Sequence, residues 1–279
     1  MTRRKFLRLM AAAGAELGAF ALGGAYTIGA EPYWLAVERV TVALSGLPDA
    51  LRGLTIAQIS DLHVGHFIGQ KDVARAVDVV LSQHPSLIVV TGDYVTIAAE
   101  HASLCAPELA RLHAPLGAFF ILGNHDHWTN APVVTRILRD AGLSLLINQG
   151  CLVESNGAAF WLAGVDDVWE RHADLERALA GAPKDVLKVL LAHEPDYADV
   201  VAADGRVSLQ LSGHSHGGQV RLPFVGSPVL PYLAIKYPYG LRRIGRMWLY
   251  TNRGIGIVSP PVRLNCRPEV TLFSLTAEK

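Results

Sequence analysis

The sequence predicts an α/β fold built as one large domain. Three observations predict it. Short, almost wholly apolar runs recur along the chain, at 87–91, 118–122 and 186–192, as strands covered on both faces require. Between them lie stretches with a helical period, such as 70–84, where Val73, Val77, Val80 and Leu81 share a face. Five strand ends then carry polar residues that packing does not ask for: Asp61 with His63, Asp93, Asn124 with His125 and Asp126, His193, and His214 with His216. Open α/β sheets hold their ligands just beyond the carboxyl ends of the strands.

The 279 residues are 51% hydrophobic and 18% charged, enough for one such domain with a short appendage. Formal net charge is zero, which excludes a disordered chain or a generally basic nucleic-acid binder. Cys105, Cys151 and Cys266 are far apart and form no C-x-x-C pair. Buried structural cysteines are expected rather than a zinc knuckle or a thioredoxin-like site.

The appendage is residues 1–30. A basic segment, Arg3, Arg4, Lys5 and Arg8, precedes an Ala-, Gly- and Leu-rich run at 9–30 that only Glu16 interrupts. A basic region before an apolar run is an export signal or a membrane anchor, not part of the fold. Thr2-Arg-Arg-Lys-Phe-Leu7 resembles a twin-arginine signal, which implies the twin-arginine export machinery as a partner and an extracytoplasmic location. The apolar run is about long enough for a bilayer, which takes roughly 20 residues, so membrane association is a second expectation. Ile28-Gly29-Ala30 offers a cleavage site with small residues. Without residues 1–30 the chain keeps 21 basic and 24 acidic residues, which further disfavours a nucleic-acid partner.

The domain proper is expected at 37–279. Strands are expected at 37–44 and 51–60, the second delivering Asp61 and His63. Pro85 ends the helix at 70–84. The strand at 87–91 leads to Gly92-Asp93, a helix follows at 103–112, and the strand at 118–122 leads to Gly123-Asn-His-Asp126. Pro132 stands where a helix at 133–141 begins. Strands at 143–147 and 151–153 follow. Asn156-Gly157 turns the latter into a partner at 158–163. A short helix at 174–180, the strand at 186–192 that delivers His193, and a helix at 197–203 come next. Asp204-Gly205 turns the chain into a strand at 207–211. Residues 219–240 are rich in Pro, Gly and aromatics, and strands at 247–251 and 270–275 close the chain. No repeat or second domain is visible.

His214 and His216, one residue apart between glycines, suit a divalent metal or a pair of metals. Gly213-His-Ser-His-Gly217 also fits the serine-hydrolase elbow, which needs a helix straight after the serine. Gly217, Gly218, Pro223 and Gly226 are poor helix material, and an elbow leaves the other four strand ends without a purpose. His66 and His127 lie close enough to the polar strand ends to touch a substrate, and Tyr94 to border the pocket. A turn is expected at Asp166-Asp167. The aromatic run at 222–239 reads as a packed segment, a substrate wall or a membrane-facing lip.

The order Asp61-x-His63, Gly92-Asp93, Gly123-Asn-His-Asp126, His193, Gly213-His-x-His216 resembles the calcineurin-like metallophosphoesterases, in all five blocks and from about Leu54 onward. It is most similar to a small bacterial branch with twin-arginine signals, whose closing segment Arg263 and Pro268-Glu269 also resemble. The resemblance implies a four-layer αββα sandwich of two mixed sheets. It implies that Asp61, His63 and His216 bind one ion, that Asn124, His193 and His214 bind another, and that Asp93 bridges both. His125 would act on the phosphate and the leaving oxygen, with Asp126 orienting its ring.

Two divalent ions clamp a phosphoryl group and make hydroxide from a bridging water at neutral pH. Mixed Asp, Asn and His donors fit Mn, Fe or Zn. The expected function is therefore metal-dependent hydrolysis of a phosphodiester, pyrophosphate or phosphomonoester in the cell envelope. The alternatives are a lipid-linked pyrophosphate of the UDP-diacylglucosamine type as substrate, or a metal-binding envelope protein without turnover. The His125-Asp126 pair argues against the last, because binding alone has no use for a proton donor.

Overall fold

The computed structural model describes residues 2–278; Met1 and Lys279, the outer ends of the two expected regions, lie outside them. Helix α1 (Arg3–Ala25) opens the chain, and the Thr2 hydroxyl accepts from Lys5 N at its start. Among the described residues no helix is long and apolar enough to cross a membrane. Two hydrogen bonds tie the segment before residue 37 to the closing loop. Thr27 O accepts from Arg263 N, and the buried Glu31 accepts from Cys266 N at 2.6 Å.

From there the chain runs β1 (Ala36–Leu44), β2 (Thr55–Ile59), α2 (Gln70–Ser82), β3 (Leu87–Thr91), α3 (Ala102–Leu109) and β4 (Ala118–Ile121). Next come α4 (Asn124–Asp140), β5 (Ser144–Leu145), β6 (Gln149–Ser155), β7 (Ala158–Gly164), α5 (Leu175–Ala178) and β8 (Leu187–Leu191). It closes with α6 (Ala198–Asp204), β9 (Leu209–Ser212), β10 (Gly240–Ile244), β11 (Met247–Thr251) and β12 (Glu269–Ala277).

The strands form two six-stranded mixed sheets, in the orders β1-β12-β2-β3-β4-β5 and β10-β11-β9-β8-β7-β6. Strands β2 to β5 are mutually parallel in the first, and β7, β8, β9 and β11 in the second. The residues of β3 divide cleanly by side. Leu87 and Val89 enter the core between the sheets, while Ile88 and Val90 enter the core under α2, α3 and α4. That is why the run shows no polar alternation. Trp161, Ala163, Leu190 and Leu249 cover the outer face of the second sheet against Ala178, Ala198 and Val201 of α5 and α6. The layers are therefore helix, sheet, sheet, helix, as expected.

Three elements differ from expectation. Helix α4 starts inside the polar block at Asn124, and it breaks at Asn130 (φ −179°, ψ 89°). The Asn130 side chain then accepts from Val133 N and restarts the helix just before Pro132, where an N–H would have no partner anyway. The expected strand at 143–147 shrinks to two residues, Ser144–Leu145. Strand β10 was not visible in sequence: its half-exposed Gly-Leu-Arg-Arg-Ile has no apolar alternation, and arginines suit an edge strand exposed to water.

Candidate active site

Parallel strands bring their carboxyl ends to one edge, and here two such edges face each other. Strands β2, β3 and β4 deliver Asp61 and His63, Asp93, and Asn124; β8 and β9 deliver His193, and His214 with His216. Gln58 ties the edges together, donating to Thr91 Oγ1 and, across the sheets, to Ser212 O, each at 2.9 Å. Asp61, His63, Asp93, His214 and His216 all adopt left-handed backbone, with φ between 49° and 70°. Non-glycine residues there cost of order 1–3 kcal/mol each, and such strain gathers where side chains must be aimed. Close approach is needed as well. A methyl group at Gly213 would overlap Ser60 Oγ and the Asp61 carboxylate, and one at Gly123 would overlap Asp93.

The donor atoms converge. Asp61, His63 and His216 form one group, Asp93, His193 and His214 another, and His63, Asp93 and His125 a third between them, the atoms of each within 4.8 Å of one another. His63 Nε2 lies 2.9 Å from His216 Nε2, and Asp61 Oδ1 lies 3.5 Å from His216 Nε2. Asp93 Oδ2 lies 3.4 Å from His63 Nε2 and 3.2 Å from His193 Nε2, so one oxygen faces both groups. Donors bound to one cation at roughly 2.1 Å stand about 3–3.5 Å apart, the range these separations span.

The hydrogen bonds leave the lone pairs where a cation needs them. His193 Nδ1 donates to Thr91 O at 2.6 Å and His214 Nε2 donates to Tyr232 O at 2.8 Å. His193 Nε2 and His214 Nδ1 are left as ligand atoms, the way a metal-binding imidazole is usually oriented. His193 Nε2 and Asn124 Oδ1 are buried and hydrogen-bond nothing, although buried polar atoms of this kind normally find a partner.

Charge points the same way. Burial pushes His214 down to about 3, helped by His193, and burial with His63 drives His216 well below its ordinary value. Both imidazoles are therefore neutral. Burial alone would raise Asp93, yet His193 and His125 hold it well below the usual carboxylate range. Burial disfavours the His193 imidazolium, but Asp93 and Asp61 outweigh it and hold it well above the ordinary value. The pocket stabilises positive charge next to Asp93. The donor set fits divalent cations.

Residues 54–218 match the family described as calcineurin-like phosphoesterase. Over 281 residues, 99% of this chain, it is 34% identical to the metallophosphoesterase YkuE of Bacillus subtilis, covering 98% of that protein. It is 32% identical over 282 residues to phosphodiesterase YaeI of Escherichia coli, covering 99% of each. The chain belongs to the calcineurin-like phosphoesterases. It is accordingly a metal-dependent phosphoester hydrolase. Solved structures agree at the level of fold: the sulfate thiohydrolase SoxB (TM-score 0.52, 12% identity, 75% of this chain) and a 5'-nucleotidase precursor (TM-score 0.50, 15%, 79%), both from Thermus thermophilus. The chain spans about half the length of each, 53% and 54%.

In this phosphoesterase His125 lies half-buried beside the donors, its ring 4.6 Å from that of His63. Its Nδ1 is 3.3 Å from Thr96 O, a carbonyl that can only accept. Asp126 does not orient that ring, contrary to expectation. Its carboxylate accepts backbone N–H from Asp93, Tyr94, Val95 and Gly123, so it braces the loops that carry Asp93 and Asn124. Burial, then Asp93, pushes Asp126 up to about 7.

Other expectations resolve into structure. Tyr94 is buried beneath the site and donates to Ile121 O. His127 pairs with Asp166 at 2.8 Å, away from the donors. Asp167 accepts from Glu170 N and closes a turn. Sequence reasoning missed Glu194, Trp128 and Trp169. Glu194, buried next to His193, accepts from Val168 N and Trp169 N and fixes the loop that sets Trp169 against His214. Arg263 is wholly buried and donates to the carbonyls of Arg253, Gly254, Gly256 and Cys266. The loop it holds gives Ile255 N to Ser60 O and Gly256 N to Asp61 O.

Proposed function

We propose that the protein hydrolyses phosphodiesters at a centre of two divalent cations, of Mn, Fe or Zn. The observation that carries this reading is Asp93 Oδ2, within 3.4 Å of His63 Nε2 and 3.2 Å of His193 Nε2. Asp61, His63 and His216 would hold one cation, Asn124, His193 and His214 the other, and Asp93 both. Bound there, the cations supply Lewis acidity toward phosphoryl oxygens and acidify the attacking water. His125 keeps Nδ1 on Thr96 O and has Nε2 left to deliver a proton to the leaving oxygen. The name of the Escherichia coli relative, a phosphodiesterase, supports diesters over monoesters. Protein stripped with a chelator should lose hydrolysis of a bis-aryl phosphate and regain it with Mn. Activity that survives exhaustive chelation, or faster cleavage of the aryl monoester, would count against the proposal.

We also propose that residues 1–30 form a twin-arginine export signal ahead of the catalytic domain at 37–279, and that the enzyme acts outside the cytoplasm. Thr2-Arg-Arg-Lys-Phe-Leu7 supports it, as does the exposure of Phe6, Leu7 and Met10 on α1. Replacing Arg3 and Arg4 with lysine should retain the protein in the cytoplasm. Unchanged export of that variant would refute the assignment.

A further inference from the structure

Beside the donor cluster lies a cavity of about 400 Å³, within the range of small-ligand sites, roughly 300–1,000 Å³. Asp93, Asn124, His125, His214 and His216 line one side. The rest of the lining is mostly apolar, with Val220, Leu230, Pro231 and Val262 beside the rings of Trp128 and Trp169. Of the polar side chains there, Ser259 is exposed, while Gln219 and Ser215 are engaged. Gln219 accepts from Val258 N at 2.8 Å and donates to the carbonyls of Val258 and Pro260, and the Ser215 hydroxyl accepts from Gly217 N at 3.0 Å. Ser259 alone does not supply the convergent donors and acceptors by which a nucleobase or a sugar is read.

The apolar surface continues outward. Val220 and Pro228 line the cavity and stand at the two ends of the turn at 221–227, closed by Leu222 N donating to Gly226 O at 2.8 Å. Phe224 and Val225 at its tip are exposed. A contiguous apolar path from a reactive centre to an exposed tip marks a surface that meets something apolar.

We propose that the phosphoester cleaved here carries an alkyl chain, as a lipid does, and that the chain lies along this wall while the phosphate meets the donors. The proposal rests on the phosphodiesterase reading above. It explains why the run at 222–239 is both a substrate wall and an exposed lip.

The test uses the Mn-loaded enzyme and 4-nitrophenyl alkyl phosphates from methyl to octyl, all below their aggregation limits. kcat/KM should rise about fourfold per methylene buried until the cavity is filled, chiefly through KM. Leu230→Asp should bring the octyl-to-methyl ratio toward one, and octyl phosphate should inhibit the parent enzyme far better than methyl phosphate. Equal kcat/KM for methyl and octyl esters would overturn the alkyl proposal and leave the hydrolase intact. A phenyl ester as good as the hexyl ester, or a Leu230→Asp variant with the full slope, would overturn it too. If the metal-loaded enzyme hydrolyses none of the series, the phosphodiesterase reading fails first.

Discussion

Asp93 divides its two oxygens between two tasks. Oδ1 accepts from His125 N at 2.9 Å and Oδ2 faces His63 and His193. One residue thus sets the proposed proton donor and the proposed metal ligands in a single frame. His125 clusters with His63 and Asp93 but is in neither of the two groups proposed to hold the cations, and its Nδ1 is held by a backbone carbonyl. His125→Ala should therefore keep its metal and lose rate by about 10²–10⁴-fold, the usual worth of a positioned acid. Metal analysis alongside turnover decides the point; a variant as fast as the parent would remove His125 from the chemistry. The donors themselves were legible in the chain because each follows an apolar run directly. The task of Asp126 was not. Its neighbour in sequence is His125, but three of its four N–H partners, on Asp93, Tyr94 and Val95, lie more than thirty residues earlier, and only the approach of the β3 and β4 ends creates these.

At the scale of elements, the strand ends must come closer than side chains normally allow. Gly213 is where β9 passes Ser60 and Asp61 at the end of β2. Gly213→Ala forces those groups apart, at a cost of about 1–3 kcal/mol for overpacking. The variant should unfold at lower urea with an unchanged slope and should give up its metal more readily. Metal retained as in the parent would mean that the Gly213 contact does not position Asp61. The strands buried on both faces were legible from aliphatic runs alone, as β3 and β8 illustrate. Strand β10 was not, because an arginine-rich edge has no pattern that burial imposes. Trp128 and Trp169 were missed for a related reason. Trp128 lies in α4 and Trp169 on a loop, and only the fold sets their rings 5.0 Å apart at the cavity.

On the scale of the whole molecule, the two sheets act as one device. Each contributes parallel strands, each aims its carboxyl ends at the same point, and Gln58 and Arg263 hold the edges and the closing loop in register. Neither of the two groups proposed to hold the cations lies on one sheet, since Asp61 and His63 come from the first and His216 from the second, and Asp93 from the first meets His193 and His214 from the second. The centre should therefore bind two cations cooperatively with the packing of the sheets. The most direct measurement is metal content per chain, by elemental analysis, for the active parent and for Asp93→Asn. Two ions in the parent, with one or fewer held by the variant, is the expected result. A fully active parent with a single ion, or a variant that keeps two, would contradict the shared carboxylate at the heart of the site.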